Sequence, residues 1–114
     1  DCGILPENIK VCEVAGAVEI PLLAQQLAKQ RRYDAIIALG AVIRGETTHY
    51  DYVCQQVSYG CQRVSLDHEI PLVFGVLTTE NLEQALARTG GAKGNKGAEA
   101  VDTALEMIQL LHHL

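Results

Sequence analysis

The sequence contains no uninterrupted apolar run approaching the roughly 20 residues that a membrane helix requires, so no transmembrane helix is expected, and no membrane partner either. Basic residues are scarce. Nine Lys and Arg stand against fourteen Asp and Glu, a net charge of −5, and nucleic acid is excluded as the main partner because phosphate backbones demand a basic face. The four cysteines, Cys2, Cys12, Cys54 and Cys61, show no CxxC spacing and no paired histidines nearby. That pattern favours reduced, mostly buried thiols of a cytoplasmic protein over a disulfide frame or a zinc site. Neither GxGxxG nor a Walker A sequence occurs, so nucleotide binding has no direct support. Repeats and low-complexity linkers are absent. The opening Asp1-Cys2-Gly3 is neither an initiator methionine nor a signal peptide, and the expectation is a chain that starts inside a domain.

What is present is apolar and ordered. Hydrophobic residues make up 48% of the 114 residues and mean hydropathy is +0.10, which suits one soluble domain. The chain is organised around residues 35 to 54. Ala35 to Leu39 is a short apolar run that suits a strand buried on both faces. It passes into a turn marked by Gly40 and Gly45, then into polar residues that can open a helix. Free N–H groups at such a helix start favour anions. Thr47 and Thr48 can donate hydroxyls there, and His49 can move a proton near neutral pH.

Elsewhere, Ile9 to Val14 reads as a weaker, outer strand. After Gly16, Pro21 suits the first turn of a helix with Leu22, Leu23, Leu27 and Ala28 on one side. Tyr50, Val53, Val57, Cys61 and Val64 recur at steps of three and four, a second amphipathic helix. Gly60 interrupts its face, either to admit another helix closely or to weaken the segment. Pro71 to Leu77 is a further strand, with Thr78 and Thr79 as caps for a helix running to about Arg88. Residues 89 to 97 read as a loop, and the last helix places Val101, Leu105, Ile108 and Leu111 on one face. Strands alternating with helices imply a parallel sheet with helices packed on it. Ligands collect at the carboxyl ends of such strands, where the turns at Gly16, Gly45 and Thr78 are expected to lie.

Several candidates carry two readings. His49 is either a solvated surface residue or a proton-transfer group beside a bound phosphate. Arg88 either complements a helix dipole or grips phosphate in bidentate fashion. Phe74, the only Phe, is ordinary core packing unless its strand end meets a ligand. Glu19 is a first-turn acid or an acceptor for sugar hydroxyls, and Lys93 and Lys96 are loop lysines or an anion cradle.

Three segments narrow these alternatives. Gly40 to Val53 (GAVIRGETTHYDYV), Phe74 to Ala85 (FGVLTTENLEQA) and Gly94 to Ala100 (GNKGAEA) strongly resemble the 6,7-dimethyl-8-ribityllumazine synthase family. Gly16 to Pro21 resembles that family's Gly-Ala-aromatic-Glu-Ile-Pro segment, with Val18 in place of the aromatic. The resemblance runs in order over the whole chain. It implies a flavodoxin-like, three-layer αβα sandwich around a parallel sheet, as one domain over 1–114 that lacks the family's first strand and helix. It implies condensation of 5-amino-6-(D-ribitylamino)uracil with 3,4-dihydroxy-2-butanone 4-phosphate, releasing phosphate, without metal or redox cofactor.

By the same resemblance His49 transfers protons, and Glu46, Thr47 and a neighbouring subunit's Arg88 hold phosphate. Ala41, Val42 and Ile43 meet the pyrimidine, and Val18 and Glu19 line the ribityl chain. Phe74 and Lys96 complete the pocket from the neighbour. The implied assembly is a homopentamer or an icosahedral shell of sixty subunits, with riboflavin synthase as a further partner. A non-catalytic shell protein of the same fold is the rival reading, and His49, Arg88 and Lys96 together argue against it.

Overall fold

A computed structural model describes residues 6–43, 49–79, 89–91 and 94–114. Short 3-10 turns at Pro6–Asn8 and Ala17–Glu19 precede helix α1 (Ile20–Lys29), strand β1 (Ile36–Ile43), helix α2 (His49–His68) and strand β2 (Leu72–Thr79). A small antiparallel hairpin, β3 (Thr89–Gly91) with β4 (Gly94–Asn95), leads into helix α3 (Lys96–His112).

β1 and β2 pair in parallel over eight residues, from Ile36 opposite Leu72 to Ile43 opposite Thr79. Side chains alternate across the sheet. Ala38, Leu72 and Phe74 therefore face Val53, Val57 and Cys61 of α2, with Ala17 and Ile20 closing the same cluster. Towards the amino ends of the strands, Ile36, Ile70 and Leu72 meet Ala24 and Ala28 of α1 and Val64 of α2. The opposite face receives α3. A Cβ built on Gly75 would lie 2.8 Å from the Leu39 side chain and 3.3 Å from Ala100 Cβ. The result is α1 and α2, the sheet, then α3: three layers around a parallel pair.

The α2 pattern appears as the sequence implies, with Val53, Val57, Cys61 and Val64 all buried. Other expectations shift. On α1 the buried residues are Ala24 and Ala28, while Leu22 is 66% exposed. On α3 they are Ala100 and Ala104, with Leu111 exposed. In both helices small side chains let the helix axis approach its neighbour, and the larger ones flank the contact. Gly40 is no turn. It lies within β1 opposite Val76. Thr78 and Thr79 lie within β2, and the helix expected to follow them to about Arg88 lies outside the described residues. A parallel ladder continues while both strands supply partners, and local turn preference yields to it. Ile9 to Val14, expected as a strand, belongs to no strand, and Val11 is 80% exposed. Among the described residues no strand lies beside it to complete a ladder, and an isolated extended segment gains nothing from strand geometry.

Non-glycine residues in the left-handed conformation close both α1 and α2. Arg31, with φ 53°, follows α1, and its N–H donates to the Ala28 carbonyl. Glu69, with φ 52°, follows α2, and the next N–H, of Ile70, reaches back to the Ser65 carbonyl at 3.2 Å. Ser65 Oγ donates to the Ile70 carbonyl at 2.7 Å, locking the same turn. This is the six-to-one closure in which glycine is the usual left-handed residue.

Candidate active site

The carboxyl ends of β1 and β2 lie side by side at Ile43 and Thr79. α2 begins six residues beyond Ile43, with His49 as its first residue and exposed. His49 therefore stands at the N-terminal end of α2, where the helix dipole favours an anion.

A second element reaches the same edge. The Ala17–Glu19 turn is held by the Glu19 N–H donating to the Gly16 carbonyl at 3.2 Å. Ala17 packs into the cluster containing Ala38, Val53 and Val57, and Ile20 Cδ1 lies 3.8 Å from where a Gly40 Cβ would stand. These contacts anchor the turn over the carboxyl half of β1 and beside the first turns of α2. Val18 and Glu19 are both exposed there. Glu19 Oε1 lies 3.1 Å from the position of a Gly16 Cβ, so the absence of a side chain at Gly16 leaves room for the carboxylate.

The backbone of Ala41, Val42 and Ile43 forms the last three rungs of β1, opposite Leu77, Thr78 and Thr79. Phe74, midway along β2 opposite Ala38, is half-buried and packs on the α2 side of the sheet. Lys96 opens α3 directly after the β3–β4 hairpin. Glu46, Thr47 and Arg88 lie outside the described residues. Thus the fold assembles His49, Val18, Glu19 and the Ala41–Ile43 backbone at one sheet edge from three separated stretches. Among the described residues, no group of three His, Cys, Asp or Glu side chains gathers to hold a metal ion. No described helix is long and apolar enough to cross a membrane.

The turn expected at Gly16 is a 3-10 turn over Ala17–Glu19, and it presents Glu19. Its signal was the Gly16-to-Pro21 spacing, with Pro21 in the first turn of α1 and Glu19 therefore at the N-cap. Cys61 is buried in the core, and burial pushes its thiol pKa up.

The family model described as 6,7-dimethyl-8-ribityllumazine synthase matches residues 1–112. Curated relatives bearing that name include those of Coxiella burnetii strains CbuG_Q212 and RSA 493, each 58% identical over 114 residues. The relative from strain Dugway 5J108-111 is 62% identical over the same length. Each alignment covers the whole of this chain and 76% of the relative.

Proposed function

The chain belongs to the 6,7-dimethyl-8-ribityllumazine synthase family, and on that premise we propose that it condenses 5-amino-6-(D-ribitylamino)uracil with 3,4-dihydroxy-2-butanone 4-phosphate. The products are 6,7-dimethyl-8-ribityllumazine, phosphate and water, and the setting is riboflavin biosynthesis in the cytoplasm. The observation that carries the reading is the family match along nearly the whole chain, with His49 opening α2 at the carboxyl edge of the parallel pair.

In the proposed reaction the free amine attacks the ketone and loses water to form an imine. A proton leaves carbon as the phosphate departs, and the resulting carbonyl closes on the ribitylamino nitrogen with loss of a second water. His49 is the residue proposed to carry protons in these steps, a contribution on the order of 100- to 10,000-fold. Holding two substrates in reacting geometry supplies the larger part, roughly 7–11 kcal/mol in favourable cases. The Ala41–Ile43 backbone is proposed to receive the pyrimidine edge. Val18 and Glu19 line the ribityl chain, Glu19 accepting hydrogen bonds from its hydroxyls. Glu46 and Thr47, which precede α2 in the sequence, are proposed to hold phosphate.

The remaining contributors are proposed to come from an adjacent subunit: Arg88 as a bidentate phosphate clamp, with Phe74 and Lys96. Self-association is supported by the outer face of α2. Tyr52, Tyr59 and Leu66 are spaced seven residues apart, and all are more than 60% exposed. Apolar residues at that repeat form a seam that a second helix can cover. The assembly is proposed to be a homopentamer or a shell of twelve pentamers, passing its product to riboflavin synthase. Incubating the full-length protein with both substrates tests the reaction: lumazine and phosphate are expected to appear in equal amounts, and phosphate release without lumazine would overturn it.

A further inference from the structure

The amino ends of β1 and β2 form the edge opposite the candidate active site. Eight-residue strands separate the two edges by roughly 23 Å at about 3.3 Å per residue. The Ile36 N–H donates to the Pro71 carbonyl at 2.8 Å and ties this edge together. Beside it a cavity of about 250 Å³ opens where α1, α2 and α3 all end.

The cavity has two kinds of wall. Its floor is apolar, with Ala28 and Ile70 buried and Ile108 half-buried. Its rim carries Arg31, Asp34, His68, Glu69 and His112 around the half-buried Tyr33. None of those five ionisable side chains makes a hydrogen bond or ion pair with a described residue. Arg63, on the outer face of α2, instead pairs with Asp67 at 3.4 Å and lies over the Tyr59 ring. Arg31 and Glu69 are also the only non-glycine residues of positive φ among those described. At each of these positions glycine would close the helix with less strain, yet each brings a charged side chain to the rim.

We propose that this cavity is a second binding site, for a small organic cation: a protonated primary amine on a short apolar or aromatic body. The rim holds two carboxylates, Asp34 and Glu69, one fixed cation, Arg31, and two imidazoles, His68 and His112. Three helices also end here, and each C-terminus carries roughly half a negative charge. An ammonium group supplies the donors that carboxylates and terminal carbonyls accept. The hydrocarbon body lies on Ile70, Ile108 and Leu111, and the Tyr33 ring offers its negative face to the charge. A bare metal ion fits poorly, because no three metal-ligating side chains gather among the described residues and an ion leaves the apolar floor unused.

The probe is benzylamine, compared with its neutral isostere benzyl alcohol and its anionic analogue benzoate. Binding to the full-length protein is followed by calorimetry and by NMR of the His68 and His112 ring protons. Benzylamine is expected to saturate the site and bind at least about tenfold more tightly than either analogue, a difference of about 1.4 kcal/mol. The Asp34→Asn/Glu69→Gln double variant is expected to lose that preference while forming lumazine at the same rate. Equal binding of all three compounds, or no saturation by benzylamine, would overturn the proposal. If the double variant folds poorly, the three-compound comparison on the unaltered protein decides.

Discussion

Gly60 of α2 lies against Pro21 of α1 so closely that a Cβ on Gly60 would stand 2.7 Å from both the Cβ and the Cγ of the proline ring. Neither partner can yield easily: Pro21 is a rigid ring in the first turn of α1, and Gly60 lies within the 20-residue α2. The contact holds the start of α1, and with it the Glu19 turn, against α2. A missing side chain in one helix thus helps place a carboxylate at the candidate active site.

Gly60→Ala is therefore expected to destabilise the protein. Alanine gains about 0.5–1 kcal/mol from helix propensity, but overpacking a rigid contact costs about 1–3 kcal/mol. A net loss is expected, larger for Gly60→Val, as a lowered midpoint in urea at unchanged slope. Stabilisation by alanine would show that the helices separate without penalty.

At Glu69 the opposite sign is expected. Relieving a left-handed non-glycine residue recovers about 1–2 kcal/mol, against about 0.5–1 kcal/mol of additional unfolded-state entropy for glycine. Glu69→Gly should raise the thermal midpoint, and β-branched Glu69→Val should lower it. Thermal melts of the three proteins in parallel check the order.

The cysteines should separate by accessibility. Cys12 is exposed, whereas Cys61 is buried, with its thiol pKa raised above the ordinary 9.0 by desolvation. A thiol reagent at pH 8 is expected to modify Cys12 readily and Cys61 only after unfolding, as read by peptide mass mapping. A raised folded pKa also fixes the sign of the linkage: this thiol's contribution is intact below pH 9 and declines as the pH rises further. Rapid native labelling of Cys61 would contradict its place in the core.

Arg88→Ala is expected to raise the KM for the butanone phosphate by about tenfold or more, in line with losing a charge-assisted hydrogen bond of about 1.5–3 kcal/mol. The KM for the ribitylaminouracil should change little. Steady-state kinetics with each substrate varied in turn separates the two, and an unchanged phosphate-substrate KM would remove Arg88 from the phosphate site.

Much of this arrangement could be read from residues alone. Val53, Val57, Cys61 and Val64 announced α2 because a one-sided helix keeps its apolar period. The strand-forming runs around Ile36 and Leu72 were visible as short apolar stretches. Less visible was whatever depends on a partner distant in sequence. Gly40 and Thr78 have turn-like chemistry but remain in strands because each faces a paired residue. Ala24 and Ala100 are buried in place of larger neighbours because close packing favours the smaller side chain. Arg31 and Glu69 gave no sign of left-handed caps, since the usual sign is a glycine. Of the candidate site, His49 and Glu19 were legible as chemistry; the shared edge that carries both follows from the parallel register.

The most direct measurement is lumazine formation by the full-length protein beside its His49→Asn variant, with both substrates saturating. The unaltered protein is expected to form lumazine and phosphate one to one, and the variant to do so with kcat lower by about 100-fold and an unchanged fold by circular dichroism. Equal kcat in the two proteins would contradict the placing of proton transfer at the start of α2.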